Sequence, residues 1–65
     1  MSEEKQEMTL AINEAHTVST NMQIYGGSFV KALGIALVRA DQFNILKIKK
    51  AFPKYWKQYL NRNKN

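Results

Sequence analysis

The run Tyr25-Gly26-Gly27-Ser28-Phe29-Val30-Lys31 carries the clearest chemical signal in the chain. Glycines ahead of a helix leave backbone N–H groups free to point at an anion. The Ser28 hydroxyl adds a donor, and Lys31 adds a full positive charge one turn into the helix. The rings of Tyr25 and Phe29 are suited to stacking on a base. Together these residue types read as a site for an anionic ligand such as a nucleotide. The spacing of a phosphate-binding P-loop is absent, so nucleotide hydrolysis does not follow. The plain alternative is a tight turn with Ser28 as the N-cap of the next helix.

A second constellation lies downstream. Lys47, Lys49, Lys50, Lys54 and Lys57 surround Phe52, Tyr55, Trp56 and Tyr59. Cations interleaved with rings suit nucleotide or nucleic-acid contact, because charge attracts phosphate and rings stack on bases. The same aromatics recur at helical spacing, and a small protein needs them inside. Phe52 and Trp56 are therefore assigned to the core. Tyrosine hydroxyls favour rims and interfaces, so Tyr55, with Lys50 and Lys54, joins the candidate ligand-binding set. The full set is Tyr25, Gly26, Gly27, Ser28, Phe29, Lys31, Lys50, Lys54 and Tyr55.

Catalysis and metal chemistry find little support. The sequence has no cysteine and one histidine, His16. That removes thiolate nucleophiles, disulfides and cysteine- or histidine-rich zinc sites. His16 has no partner pattern for a Ser-His-Asp arrangement, and it reads as an ordinary surface or helix-end residue. No enzyme, metal or cofactor is expected.

Met8, Ala11, Ala15, Val18 and Met22 recur at spacings of three and four, one face of a helix. The Thr-, Ser- and Asn-rich stretch from Thr17 to Gln23 weakens helix. The reading is a helix over about 4–16 and an irregular segment to Tyr25, with a short strand near 18–24 as the alternative. The two glycines punctuate. From Ser28 to Ala40 a second helix carries Phe29, Leu33, Ala36, Leu37 and Ala40 on one stripe, while Val30, Ile35 and Val38 widen the apolar surface. A helix apolar over most of its circumference must be covered on more than one side. Gly34 either permits close helix contact or is simply tolerated. Asp41 and Asn44 are turn and cap residues, so a third helix runs from Gln42 or Ile45 to Ala51. Pro53 disfavours helix at Phe52 and opens a fourth helix over 53–60, with Tyr55, Trp56, Tyr59 and Leu60 on its apolar side. Residues 61–65 form a polar basic tail with no evident reason to be ordered.

The fold class is thus all-α, a bundle of three to four short helices in one domain of 65 residues. A chain this short buries only about 60% of the surface its unfolded form exposes, and its core rarely supplies more than about 3–5 kcal/mol. Without disulfides or metal, self-association is the remaining support, and a homo-oligomer is expected. Charge is unevenly placed. Residues 1–24 hold one lysine and four glutamates, net −3; residues 25–65 hold nine Lys/Arg and one aspartate, net +8; the whole chain is +5. The acidic segment and the basic helical core at 25–60 read as surfaces with different partners, or more blandly as a solvated lysine-rich face. No stretch approaches the roughly 18–20 apolar residues that span a bilayer, and the polar, acidic start is unlike a signal peptide. No membrane association is expected, and a cytoplasmic location is.

The spacing of Tyr25-Gly-Gly-Ser-Phe-Val-Lys-Ala-Leu33, Ala40-Asp41 and Leu46-Lys-Ile-Lys-Lys-Ala-Phe-Pro-Lys-Tyr-Trp56 resembles a group of short, uncharacterised proteins encoded by bacteriophages and prophages. The likeness covers roughly residues 25–59. Gln42 stands where similar proteins often place proline, so the turn after Asp41 is expected to differ. Small phage proteins that are not structural parts often counter host defence, some by inhibiting a nuclease and others by sequestering a nucleotide signal in an oligomeric pocket. By that analogy the expected function is an anti-defence protein holding an anionic nucleotide, in the host cytosol. The alternatives are a small helix-turn-helix-like DNA-binding regulator, with Lys47 and Lys50 on the presented helix, and an adaptor or inhibitor docking on a host protein.

Overall fold

A computed structural model describes residues 2–62, with side chains from Lys5 onward. The described residues are helical apart from short connections: α1 spans Ser2–Tyr25, α2 Ser28–Arg39, α3 Gln42–Ala51 and α4 Pro53–Leu60. The all-α bundle expected from the sequence is the architecture observed. Residues 63–65 of the expected tail lie outside the described residues; Asn61 and Arg62 continue α4 as a turn.

The organising element is α1, on which α2, α3 and α4 each pack more extensively than on one another. Its inner face is the stripe legible in the sequence. Ala11, Ala15, Val18 and Met22 are buried, and Met8 is partly so. Fully burying a side chain of the Val18 or Met22 class contributes about 1.5–3 kcal/mol. Around these residues close Val30, Leu37, Ile45, Leu46, Trp56 and Tyr59.

Three expectations need correction. First, α1 does not end near residue 16; the Thr/Ser/Asn stretch stays helical to Tyr25. Such side chains disfavour helix when they bond to backbone in competing conformations. Here those bonds serve the fold instead. The Ser19 hydroxyl donates to the His16 carbonyl at 3.1 Å, and buried Asn21 donates Nδ2 to the Tyr59 carbonyl at 2.7 Å. Second, the buried stripe of α2 is Val30, Gly34 and Leu37. Leu33 and Ala40 pack at its margin, while Phe29 and Ala36 are exposed. The helix is rotated so that Gly34 faces α1. A Cβ there would lie 2.9 Å from both the Met22 Cβ and the Ser19 carbonyl oxygen, so the glycine lets the two backbones approach. Third, the N-cap of α2 is Gly27, not Ser28, and no side chain caps this end.

The remaining boundaries follow the local chemistry anticipated for them. Asp41 caps α3, its Oδ1 accepting from the Asn44 amide at 2.9 Å. Pro53 opens α4, where its missing N–H costs nothing.

Candidate functional site

At the Gly-Gly turn the two glycines have different duties. A Cβ on Gly26 would lie 2.5 Å from Val30 Cγ1 and 2.6 Å from the Met22 carbonyl oxygen, whereas at Gly27 it would meet nothing within 4 Å. Neither residue has a positive φ. Gly26 is therefore a packing requirement where α2 folds back along α1. Gly27, extended at φ −75° and ψ −170°, is open to solvent. Its carbonyl accepts from the Lys31 amide at 2.8 Å, starting the α2 hydrogen-bond ladder. The amides before Lys31 lack a carbonyl partner within the helix, and Ser28 and Lys31 are exposed beside them.

Phe29 leaves this turn and meets the second constellation. Its ring centroid is 5.9 Å from that of Phe52, edge-on at 65°, and 6.1 Å from that of Tyr55; Phe52 and Tyr55 are 6.2 Å apart. These are the offsets that aromatic quadrupoles favour. The cluster is only half-covered: Phe29 is 56% and Tyr55 36% exposed, with Phe52 intermediate. Phe52 is thus less buried than the core role assigned to it, whereas Trp56, 3% exposed, is fully in the core. Beside the rings runs an open groove of about 550 Å³ lined by Ala51, Phe52, Pro53, Lys54, Tyr55 and Gln58.

The structure therefore joins Phe29 and Tyr55, with Lys54 on the adjoining groove. It directs two other site residues elsewhere. Tyr25 has the Arg62 guanidinium 4.2 Å above its ring. Lys50 lies 3.4 Å from Glu7, an exposed pair of the kind that contributes about 0–1 kcal/mol.

Sequence reasoning missed a row of polar residues along one flank of α1. Glu7, Glu14 and Asn21 are spaced by sevens, so they stack on one side of the helix next to the apolar stripe. Each reaches a later helix. Glu7 pairs with Lys50 of α3. Glu14 Oε1 accepts from Trp56 Nε1 at 2.7 Å and from Lys49 Nζ at 3.1 Å. Asn21 bonds the last turn of α4. Lys49 also stands 5.7 Å from the centroid of the Trp56 ring. The split of acid and base along the sequence is thus partly consumed inside the fold. Among the described residues, Lys31, Arg39, Lys47 and Lys54 make no ion pair.

Among the described residues no group of acidic or histidine side chains is arranged to hold a metal ion, and no helix is long and apolar enough to cross a membrane. Compared with protein families, curated proteins and solved structures, the chain finds no match.

Proposed function

We propose that this is a non-enzymatic binding protein that holds an anionic nucleotide against the Phe29–Phe52–Tyr55 face, with Lys54 supplying charge. The observation that carries this reading is the aromatic cluster itself. Two runs far apart in sequence, each mixing rings with lysines, contribute to one partly exposed set of rings beside an open groove. Stacking a base on such rings contributes about 1–3 kcal/mol per base. A groove this open covers little of a ligand, whereas small-molecule sites usually bury 70–90% of it. A second copy of the chain would supply the missing wall. The exposed Ile35, Val38 and Phe43, at 49%, 65% and 58%, support self-association. The resemblance to phage proteins extends the reading to an anti-defence role in the host cytosol, in which a nucleotide signal is sequestered.

A DNA-binding reading has one observation in its favour: Asn44 and Lys47 are exposed on the same side of α3. Against it, only Ala40 and Asp41 separate α2 from α3, shorter than the three- to four-residue turn of a helix-turn-helix. Native mass spectrometry of protein purified from the cells in which it acts tests the nucleotide reading. A multiple of the 7.5 kDa chain with a retained nucleotide mass is expected. A ligand-free monomer that stays so after nucleotide is added would overturn it.

A further inference from the structure

A second groove lies between α2 and α3, away from the Gly-Gly turn. Its volume is about 510 Å³, and it is lined by Ala36, Arg39 and Ala40 of α2, by Asn44, Lys47, Ile48 and Ala51 of α3, and by Phe52 at its end. Its apolar lining is three alanines, Ile48 and Phe52. Arg39 and Lys47 are exposed cations on its two sides, no acidic residue lines it, and neither cation has an ion pair among the described residues.

We infer that this groove docks an acidic amphipathic helix of a partner protein. The α3 wall runs from Asn44 to Ala51, about two helical turns at 1.5 Å per residue. That length receives apolar side chains at i, i+3 or i+4, and i+7 of a docked helix, the pattern by which helices are read in grooves. Alanines at 36, 40 and 51 keep the floor low enough for a helix to approach. The two cations then require carboxylates flanking the apolar stripe of the partner.

Charge complementarity selects this occupant over others. A second copy of the chain fits less well: Glu7 and Glu14 pair with Lys50 and Lys49, Asp41 caps α3, and the apolar residues that follow Glu3 and Glu4 on α1, Met8 and Ala11, already pack in the chain's own core. Nucleic acid needs a row of cations tracking phosphates, and two cations astride an apolar floor do not form one. A small ligand would be left largely uncovered in so open a groove.

The inference does not rest on the nucleotide reading: the two grooves meet at Ala51 and Phe52, and Arg39 and Lys47 border this one only. The probe is a synthetic 14-residue helical peptide with leucines at i, i+3, i+4 and i+7 and glutamates on both flanks. Its control is the same peptide with lysines for glutamates. Backbone amide shifts of the whole protein are followed by NMR up to millimolar peptide. Expected are shifts centred on Ala36, Ala40, Asn44, Lys47 and Ile48 with the acidic peptide alone. Binding should weaken at least tenfold in Arg39→Gln and in Lys47→Glu, each checked for native helix content by circular dichroism. Nucleotide shifts at Tyr55 should be unchanged in both variants. No shifts at the groove, equal shifts with the lysine peptide, or undiminished binding in Lys47→Glu would overturn the inference. Groove shifts induced by a DNA or RNA oligonucleotide, and not by the acidic peptide, would replace it with nucleic-acid binding.

Discussion

Removing the Glu14 carboxylate should destabilise the fold by an amount that separates its two bonds. Its Oε1 accepts from the indole N–H of Trp56 at 2.7 Å and from Lys49 at 3.1 Å. The Trp56 residue is 3% exposed, so in Glu14→Ala its N–H loses its acceptor where water has little access. A hydrogen bond to a charged group contributes about 1.5–3 kcal/mol. The Lys49 side chain is 25% exposed and that of Glu14 20%; the ammonium rehydrates, so that pair adds about 0–1 kcal/mol. A loss of about 2–3 kcal/mol is expected, against a total of roughly 3–10 kcal/mol for a chain of this size. Glu14→Gln keeps a carbonyl oxygen for the indole and loses only the charge, so it should cost about 1 kcal/mol. Urea unfolding followed by the fluorescence of the sole tryptophan and by circular dichroism reads both. With a slope of about 1 kcal/mol per molar urea, the midpoint should fall by about 2–3 M in Glu14→Ala and about 1 M in Glu14→Gln. Wild-type stability in Glu14→Ala, or equal losses in the two variants, would refute the argument.

The glycines give a matched comparison. Gly26→Ala should lose about 1–3 kcal/mol through overpacking against Val30 and the Met22 carbonyl, while Gly27→Ala, with open space around it, should stay within about 1 kcal/mol of wild type; thermal melts of the pair decide. Gly34→Ala gains about 1 kcal/mol of helix propensity, but the 2.9 Å contacts with Met22 and Ser19 should outweigh it, lowering the urea midpoint. Trp56→Ala should cost about 3–5 kcal/mol and leave the chain largely unfolded by circular dichroism.

How much of this was legible depended on whether the signal was local. The α1 stripe from Met8 to Met22, the cap at Asp41 and the proline start of α4 are each set within a few residues, and each was read from the sequence. The length of α1 was not. Asn21 and Ser19 look like helix breakers until the Tyr59 and His16 carbonyls are seen to accept from them. The rotation of α2 was missed for a related reason: a search for apolar side chains does not count Gly34, although its missing Cβ decides which face meets α1. In the candidate site, charge and ring content were visible, but partners were not. Nothing local says that Phe29 lies against Phe52 and Tyr55, or that Lys50 turns to Glu7. The sevenfold spacing of Glu7, Glu14 and Asn21 was a usable clue that polar residues on α1 face other helices.

The claim that the Phe29–Phe52–Tyr55 face binds an anionic nucleotide is tested most directly by calorimetric titration of wild type and Tyr55→Ala with a panel of cyclic and linear nucleotides. Tyr55 is exposed and outside the core, so the variant should fold normally. At least one nucleotide should bind wild type, and Tyr55→Ala should weaken it by about 1–3 kcal/mol, the loss of one stacked ring. No binding by wild type across the panel, or equal binding by the variant, would contradict the account.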